Sequence, residues 1–283
     1  MQLILISGLA GAGKSTALRI LEDSGYNCVD NLPPPMLPQL VEMYALNANT
    51  NKIAVSVDTR SYSLLRQLPN AIHNLTQLGI ETKIIFLDSR PDILIKRFSE
   101  TRRKHPLSDD KRTISDCILE EQEILAAISS LAHRIDTSDL SANQLRSIIK
   151  QFVDADYSQL SIVLQSFGFK YGLPIDSDFV FDVRCLPNPH YDKSIREFNG
   201  LEQPIVDFLE KQEKVHLMIN DIYHLVAAWL LDFSRDNRNY VTISIGCTGG
   251  KHRSVYIAER LASQIRNSGY KTITRHRHIN QGN

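Results

Sequence analysis

Short apolar runs alternate with longer stretches of helical spacing along the first half of the chain. Leu3–Ile6, Tyr26–Val29, Ile53–Val57, Ile84–Leu87 and a short run near Arg134–Ile135 predict strands. Between them apolar positions recur every three or four residues near 15–24, 36–46, 62–78, 91–103, 114–132 and 141–153, which predicts helices. Alternation of this kind implies a parallel sheet covered on both faces. After Asp154 the rhythm changes. Leu160–Phe167, Phe179–Val183 and Tyr240–Ile245 read as strands, 203–234 reads as helical, and a last helix runs to about 267. The predicted fold class is α/β, with a parallel-sheet domain at 1–153 and a second α/β domain at 154–283.

One junction in this pattern carries chemistry. Gly8-Leu9-Ala10-Gly11-Ala12-Gly13-Lys14-Ser15 follows the first strand and opens the first helix. Strand, glycine-rich turn and helix in that order make G-x-x-x-x-G-K-[ST] a phosphate loop, and the first domain P-loop kinase-like. Successive backbone N–H groups then ring a phosphate, and the helix adds the positive end of its dipole. Lys14 would reach the β- and γ-phosphates, and the Ser15 hydroxyl would sit on Mg²⁺. The expected ligand is a nucleoside triphosphate.

Ligands of such sheets gather outside the carboxyl ends of the strands. Asp30 closes the second predicted strand and leads into Asn31-Leu32-Pro33-Pro34-Pro35, too proline-rich to be helical. It suits either a ligand-facing or a turn-capping role. Asp58 and Asp88 end later strands, where an acid can hold Mg²⁺ directly or through water. Asp88-Ser89 stands before Pro91 and reads as a helix N-cap, so Asp58 is the expected metal-side acid, with Ser15 as its partner. Lys96-Arg97 and Arg102-Arg103-Lys104 end a predicted helix. They resemble the lid of small P-loop kinases, which stabilises charge on a transferring phosphoryl group, and equally suit a solvated helix end.

The second half holds a similar strand–loop–helix, with Gly246-Cys247-Thr248-Gly249-Gly250-Lys251-His252-Arg253-Ser254 at its turn. Cys247 and Arg253 have the C-x5-R spacing of cysteine phosphatases, in which loop amides and a bidentate arginine hold a phosphate against a thiolate. The usual histidine before the cysteine is replaced by Gly246, and no general acid stands out, so a phosphate-binding loop without phosphatase chemistry is the preferred reading. Asp182, Arg184 and His190 would line the same pocket or serve buried structural roles. From Lys251 onward Lys251, Arg253, Arg260, Arg266, Lys271, Arg275 and Arg277 face one acid, Glu259. Such a run suits RNA or another polyanion, or a solvated surface.

Composition adds little beyond class. Thirty-two acids balance 32 bases over 283 residues, so net charge points to no partner. Four cysteines lie far apart without a C-x-x-C pair, against a zinc site or disulfide framework and for a reduced, cytoplasmic setting. The opening Met1–Ile6 lacks a signal-peptide pattern, and no apolar run reaches the roughly 20 residues of a membrane span.

With these residues collected, the chain resembles the RapZ-type RNase adapter family of P-loop nucleotide-binding proteins from end to end. The resemblance is carried by Gly8–Ser15, Cys28–Pro33, Ser99–Arg103 and His105–Leu107 in the first half. Ser166–Lys170, Val180–Arg184, Leu186–His190 and Gly246–Ser254 carry it in the second. It implies ATP or GTP binding with slow hydrolysis, at Gly8, Leu9, Ala10, Gly11, Ala12, Gly13, Lys14 and Ser15 and at a second segment, Asp58-Thr59-Arg60-Ser61. It also implies a C-terminal domain that recognises glucosamine-6-phosphate, with Cys247, Thr248, Gly249, Gly250, Lys251, His252 and Arg253 matching the anion loop. A small regulatory RNA would be presented to RNase E, tuning amino-sugar synthesis, and the family assembles as homo-oligomers. The best-known adapters end in a Lys/Arg-rich tail, whereas this chain ends Ile279-Asn280-Gln281-Gly282-Asn283. RNA contacts then fall to Lys170, Arg266, Lys271, Arg275 and Arg277, and fewer cations mean weaker, less salt-sensitive binding. A small-molecule P-loop kinase is the alternative. The two separate by whether an added phosphoryl acceptor speeds triphosphate loss.

Overall fold

The computed structural model describes residues 1–45, 52–109, 111–154, 160–235 and 240–279. The chain divides into two compact units, Met1–Ala155 and Asp156–Asn283. Five parallel strands organise the first: β1 (Gln2–Gly8), β2 (Asn27–Val29), β3 (Lys52–Ser56), β4 (Glu81–Asp88) and β5 (His133–Asp136), ordered β2-β3-β1-β4-β5. β1 lies in the middle and is buried at every residue from Leu3 to Gly8, so both of its faces are covered. The connecting helices are α1 (Lys14–Glu22), α2 (Leu37–Ala45), α3 (Leu68–Gln77), α4 (Pro91–Thr101), α5 (Ile114–Leu131) and α6 (Ala142–Asp154).

Two local details depart from the periodicity. The helix expected over 62–78 is a 3-10 run, Thr59–Gln67, followed by α3. Pro69 lies in the first turn of α3, where its missing N–H and fixed φ restart the helix rather than continue it. The expected helix 91–103 stops at Thr101, because Arg102 turns left-handed at φ 51°. The last residue of the helix expected at 36–46 lies outside the described residues.

In the second unit four parallel strands stand in the order β7-β8-β6-β9: β6 (Ser161–Gly168), β7 (Phe179–Asp182), β8 (Tyr240–Cys247) and β9 (Lys271–His276). β6 is wholly buried, and β8 is buried from Val241 onward. α7 (Gln203–Glu210) and α8 (Glu213–Arg235) replace the single expected helical region, and α9 (Arg253–Asn267) follows β8. Ile162, Leu164, Ile243 and Ile245 of the strands meet Ile219, Val226, Ile257 and Leu261 of the helices in one core. β9 is the strand that the hydrophobic pattern misses. Its sequence KTITRH has one aliphatic residue, and as an edge strand it is half-buried throughout. The four cysteines are all free thiols. Among the described residues no helix is long and apolar enough to cross a membrane.

Candidate functional site

Gly8 to Ser15 leaves the carboxyl end of β1 at the centre of the sheet and runs into the N-terminus of α1. Gly8 sits at φ 139°, and a Cβ there would lie 2.1 Å from the carbonyl oxygen of Leu87 on β4. Only glycine lets the two backbones approach this closely. The Lys14 ammonium folds back over its own loop, donating to Gly8 O at 2.6 Å and Leu9 O at 3.1 Å. Burial pulls its pKa below the usual lysine value, against the pull of Glu121 and Asp58. Ser15 is exposed at the start of α1. Arg97 and Thr137 brace the loop from outside: Arg97 donates to Gly11 O at 3.1 Å, and the Thr137 hydroxyl donates to Ala12 O at 3.0 Å.

Asp58 follows β3 and is almost completely buried. Both of its carboxylate oxygens accept from the Arg60 guanidinium, at 2.7 and 3.0 Å, and Oδ1 also accepts from the Arg60 amide. Burial works against the charge on Asp58, but Arg60 and the nearby Lys14 hold its pKa below the usual carboxylate range. The capping logic that set Asp58 above Asp88 is inverted here. Asp58 caps the 3-10 run that starts at Thr59, whereas the residue at the α4 cap is Arg90, and Asp88 accepts from the Ser89 amide and from Arg134 at 2.7 Å. Proximity to Lys14, not capping, distinguishes Asp58. Thr59 is buried, with its hydroxyl donating to Glu121 at 2.7 Å, and the Ser61 amide donates to Asp58 O. Asp30 accepts from Ser56 Oγ and lies 3.8 Å from Arg60. Of the lid-like cations, Arg97 is committed to the loop and to Thr137, while Arg102 and Arg103 are exposed.

These residues fit a nucleotide with its metal ion. The loop is a cradle that a Cβ at Gly8 would destroy, Lys14 lies within it, and the Ser15 hydroxyl is at the helix start. Asp58, with its oxygens held by Arg60, suits a water of the ion's shell better than the ion itself.

The second loop leaves the carboxyl end of β8. A pocket of about 390 Å³ opens over it, lined by Cys247, Thr248, Gly249, Lys251, His252 and Arg253 together with His190, Asn188, Tyr191, Arg196 and Lys170. A neighbouring pocket of about 480 Å³ adds Arg184 and Lys214 and shares Arg253 and Thr248. Arg253 is 4% exposed: Nη1 donates to Arg184 O at 2.8 Å and Leu186 O at 3.0 Å, which leaves its buried Nε without a protein partner. Such an orphaned donor in a cationic pocket suits an anion. Cys247 Sγ is buried 3.1 Å from Ser254 Oγ. His252 is buried with Nε2 2.9 Å from Arg196 O, and burial lowers its pKa.

Asp182 lines neither pocket; it binds Arg184, at 2.7 and 3.0 Å, whose guanidinium lies over the Phe169 ring. Gly250 likewise lines neither and packs against Gly168. Lys170, expected among the RNA contacts, lines the pocket over the second loop. Arg277, also expected among the RNA contacts, has a side chain that is 8% exposed and faces Asp176 at 3.6 Å. Arg260 pairs with Glu210, and His276 with Glu259. The basic run near the end of the chain is therefore not one patch: acids remote in sequence meet it in the fold. Arg266 is exposed in the last turn of α9, and Lys271 and Arg275 are half-buried on β9. Sequence reasoning missed Glu121, Thr137, Asn188, Tyr191, Arg196 and Lys214. Each lies far in sequence from a loop it serves, and no local pattern marks it.

A parallel sheet in this order, with a glycine loop and a helix N-terminus beyond its central strand, defines a P-loop protein of kinase-like fold, here followed in sequence by a second α/β unit. The profile of the RapZ-like N-terminal domain matches residues 1–157, and that of the RapZ C-terminal domain matches residues 160–280. A "Nucleotide-binding protein" of Chromobacterium violaceum is 52% identical over 279 residues, covering 99% of both chains. Its namesake in Laribacter hongkongensis is 50% identical, covering 99% of this chain and 100% of that one. The chain belongs to the RapZ family. A solved shikimate kinase from Bacteroides thetaiotaomicron aligns at 15% identity over 53% of this chain and 95% of its own, with a TM-score of 0.36, a likeness too distant to carry an argument.

Proposed function

We propose that the protein is a nucleotide-binding regulator of the RNase adapter type. It binds ATP or GTP with Mg²⁺ at Gly8–Ser15 and Asp58–Ser61, hydrolyses the triphosphate slowly and senses glucosamine-6-phosphate at Cys247–Arg253. It binds a small regulatory RNA as a cytoplasmic homo-oligomer and directs that RNA to RNase E, which controls amino-sugar synthesis. The observation that supports this best is the pair of loops, each at the carboxyl end of a parallel strand and before a helix N-terminus, one in each unit. The relatives' name, nucleotide-binding protein, agrees with the first loop.

At the first loop Lys14 moves from Gly8 O and Leu9 O to the phosphates, and the loop amides fix their orientation. Ser15, with Asp58 through a water, would hold Mg²⁺, whose charge would offset that of the phosphates. Slow turnover follows from the state of Asp58: a carboxylate with both oxygens on Arg60 is a poor base for an attacking water. The exposed Arg102 and Arg103 favour the second reading, a small-molecule kinase. At the second loop Arg253 Nε, the Lys251 ammonium and the loop amides hold the phosphate, and the wider pocket holds the sugar.

Titration calorimetry with ATP–Mg²⁺ and with glucosamine-6-phosphate tests the two sites. Lys14→Ala is expected to lose the nucleotide alone, and Lys251→Ala to weaken the sugar phosphate alone by roughly 10-fold. Lys251 is the cleaner choice, since removing Arg253 also releases the Arg184 and Leu186 carbonyls. Loss of both ligands in either variant would refute separate sites. Triphosphate turnover that rises sharply with an added sugar acceptor would move the assignment to a kinase.

A further inference from the structure

Glu121 stands in α5 with its carboxylate fully buried beside the phosphate loop. Its Oε2 accepts from the Ala10 amide at 2.8 Å and from His105 Nε2 at 3.1 Å. Its Oε1 accepts from the Thr59 hydroxyl at 2.7 Å. The Leu107 amide donates to His105 Nδ1 at 3.2 Å, which puts the ring's proton on Nε2, facing Glu121. A buried carboxylate is costly unless its lone pairs are filled. Here the donors come from three segments remote in sequence: the phosphate loop, the segment after β3 and the stretch that follows Arg102 and Arg103.

The Ala10 amide belongs to the Leu9–Ala10 peptide, which is a rigid plane. The other edge of that plane, Leu9 O, accepts from Lys14 Nζ at 3.1 Å and from the Ala12 amide at 3.0 Å. Lys14 and Glu121 therefore grip one peptide from opposite edges, and their charges act on each other directly. A phosphate entering the loop draws the ammonium away from Leu9 O. The plane is then held mainly from the Glu121 side, and the carboxylate loses part of the field that steadied it.

We infer that Glu121 is a positioning residue that carries the occupancy of the phosphate loop, through the Leu9–Ala10 peptide, to Thr59 and to His105. This rests on the nucleotide-binding reading and adds a route by which bound triphosphate at Gly8–Ser15 sets Thr59, in the second nucleotide segment, and the stretch at His105. Glu121→Met keeps the length of the side chain but removes both acceptor oxygens, so it serves neither branch. Thr59→Val and His105→Phe each cut one branch.

Amide hydrogen exchange on the full chain, with and without ATP–Mg²⁺, reads the relay. In the parent, nucleotide should slow exchange at 9–16 and change it by about 5-fold or more at 59–61 and 105–108. In Glu121→Met the response at 9–16 should persist while the responses at 59–61 and 105–108 both fall below about 2-fold. Each single-branch variant should silence its own segment only, and these two decide the matter if Glu121→Met does not fold. A purely structural staple predicts otherwise: a parent that responds at 9–16 alone, or variants that keep every response, would overturn the relay and leave the nucleotide reading standing. A parent with no response anywhere would overturn both.

Discussion

Gly246 shows how one side chain's volume governs the chemistry of a loop. The C-x5-R spacing lacks the histidine that precedes the cysteine in phosphatases, and the fold supplies the reason. A Cβ at 246 would lie 2.5 Å from the rings of both Phe167 and Phe169, so no side chain fits there. Gly246→Ala should therefore cost about 1–3 kcal/mol of stability through overpacking, measured by urea denaturation. Other residue-level readings changed in the fold. Arg277 and Arg260 look unpaired along the chain because their acids, Asp176 and Glu210, are distant in sequence. Glu121 has no local signature at all: an acid in an amphipathic helix reads as solvated until the loop amide above it is seen.

Among the elements, the strand–loop–helix units were legible because glycine clusters between an apolar run and a helical period have few other solutions. β9 was not legible, since a half-buried edge strand needs no apolar alternation. Nor was the break at Pro69, where a 3-10 run meets a new helix within one helical periodicity. The loop before α9 offers a pH test. His252 at that helix's start resists protonation because it is buried, so its pKa is lowered from 6.5, whereas the unfolded chain takes up the proton near that value. The unfolded state then binds more protons below about pH 6.5, and stability present above it falls as pH falls. Between pH 7.5 and 5.5 the parent should lose about 1 kcal/mol more than His252→Gln, compared by denaturation at each pH.

For the molecule as a whole, zero net charge conceals where cations are free to meet a polyanion. Arg266 is exposed and Lys170 lines the pocket over the second loop, whereas Arg277 is buried against Asp176. RNA affinity measured across a series of salt concentrations should separate them. Arg266→Ala should lower the slope of log affinity against log salt by about 0.7–0.9, one phosphate contact. Arg277→Ala should leave the slope unchanged and reduce stability instead. A slope that responds to Arg277 would mean that the RNA face includes the turn after β9.

The order of residues alone determined the α/β class, the phosphate loop and a second strand–loop–helix unit, because each depends on spacing among neighbouring residues. Tertiary structure alone decided which charges are cancelled, which strand-end acid lies beside Lys14, and that Glu121 joins three segments. Those outcomes depend on distances between groups tens of residues apart, and at such separations local periodicity carries no information about contact.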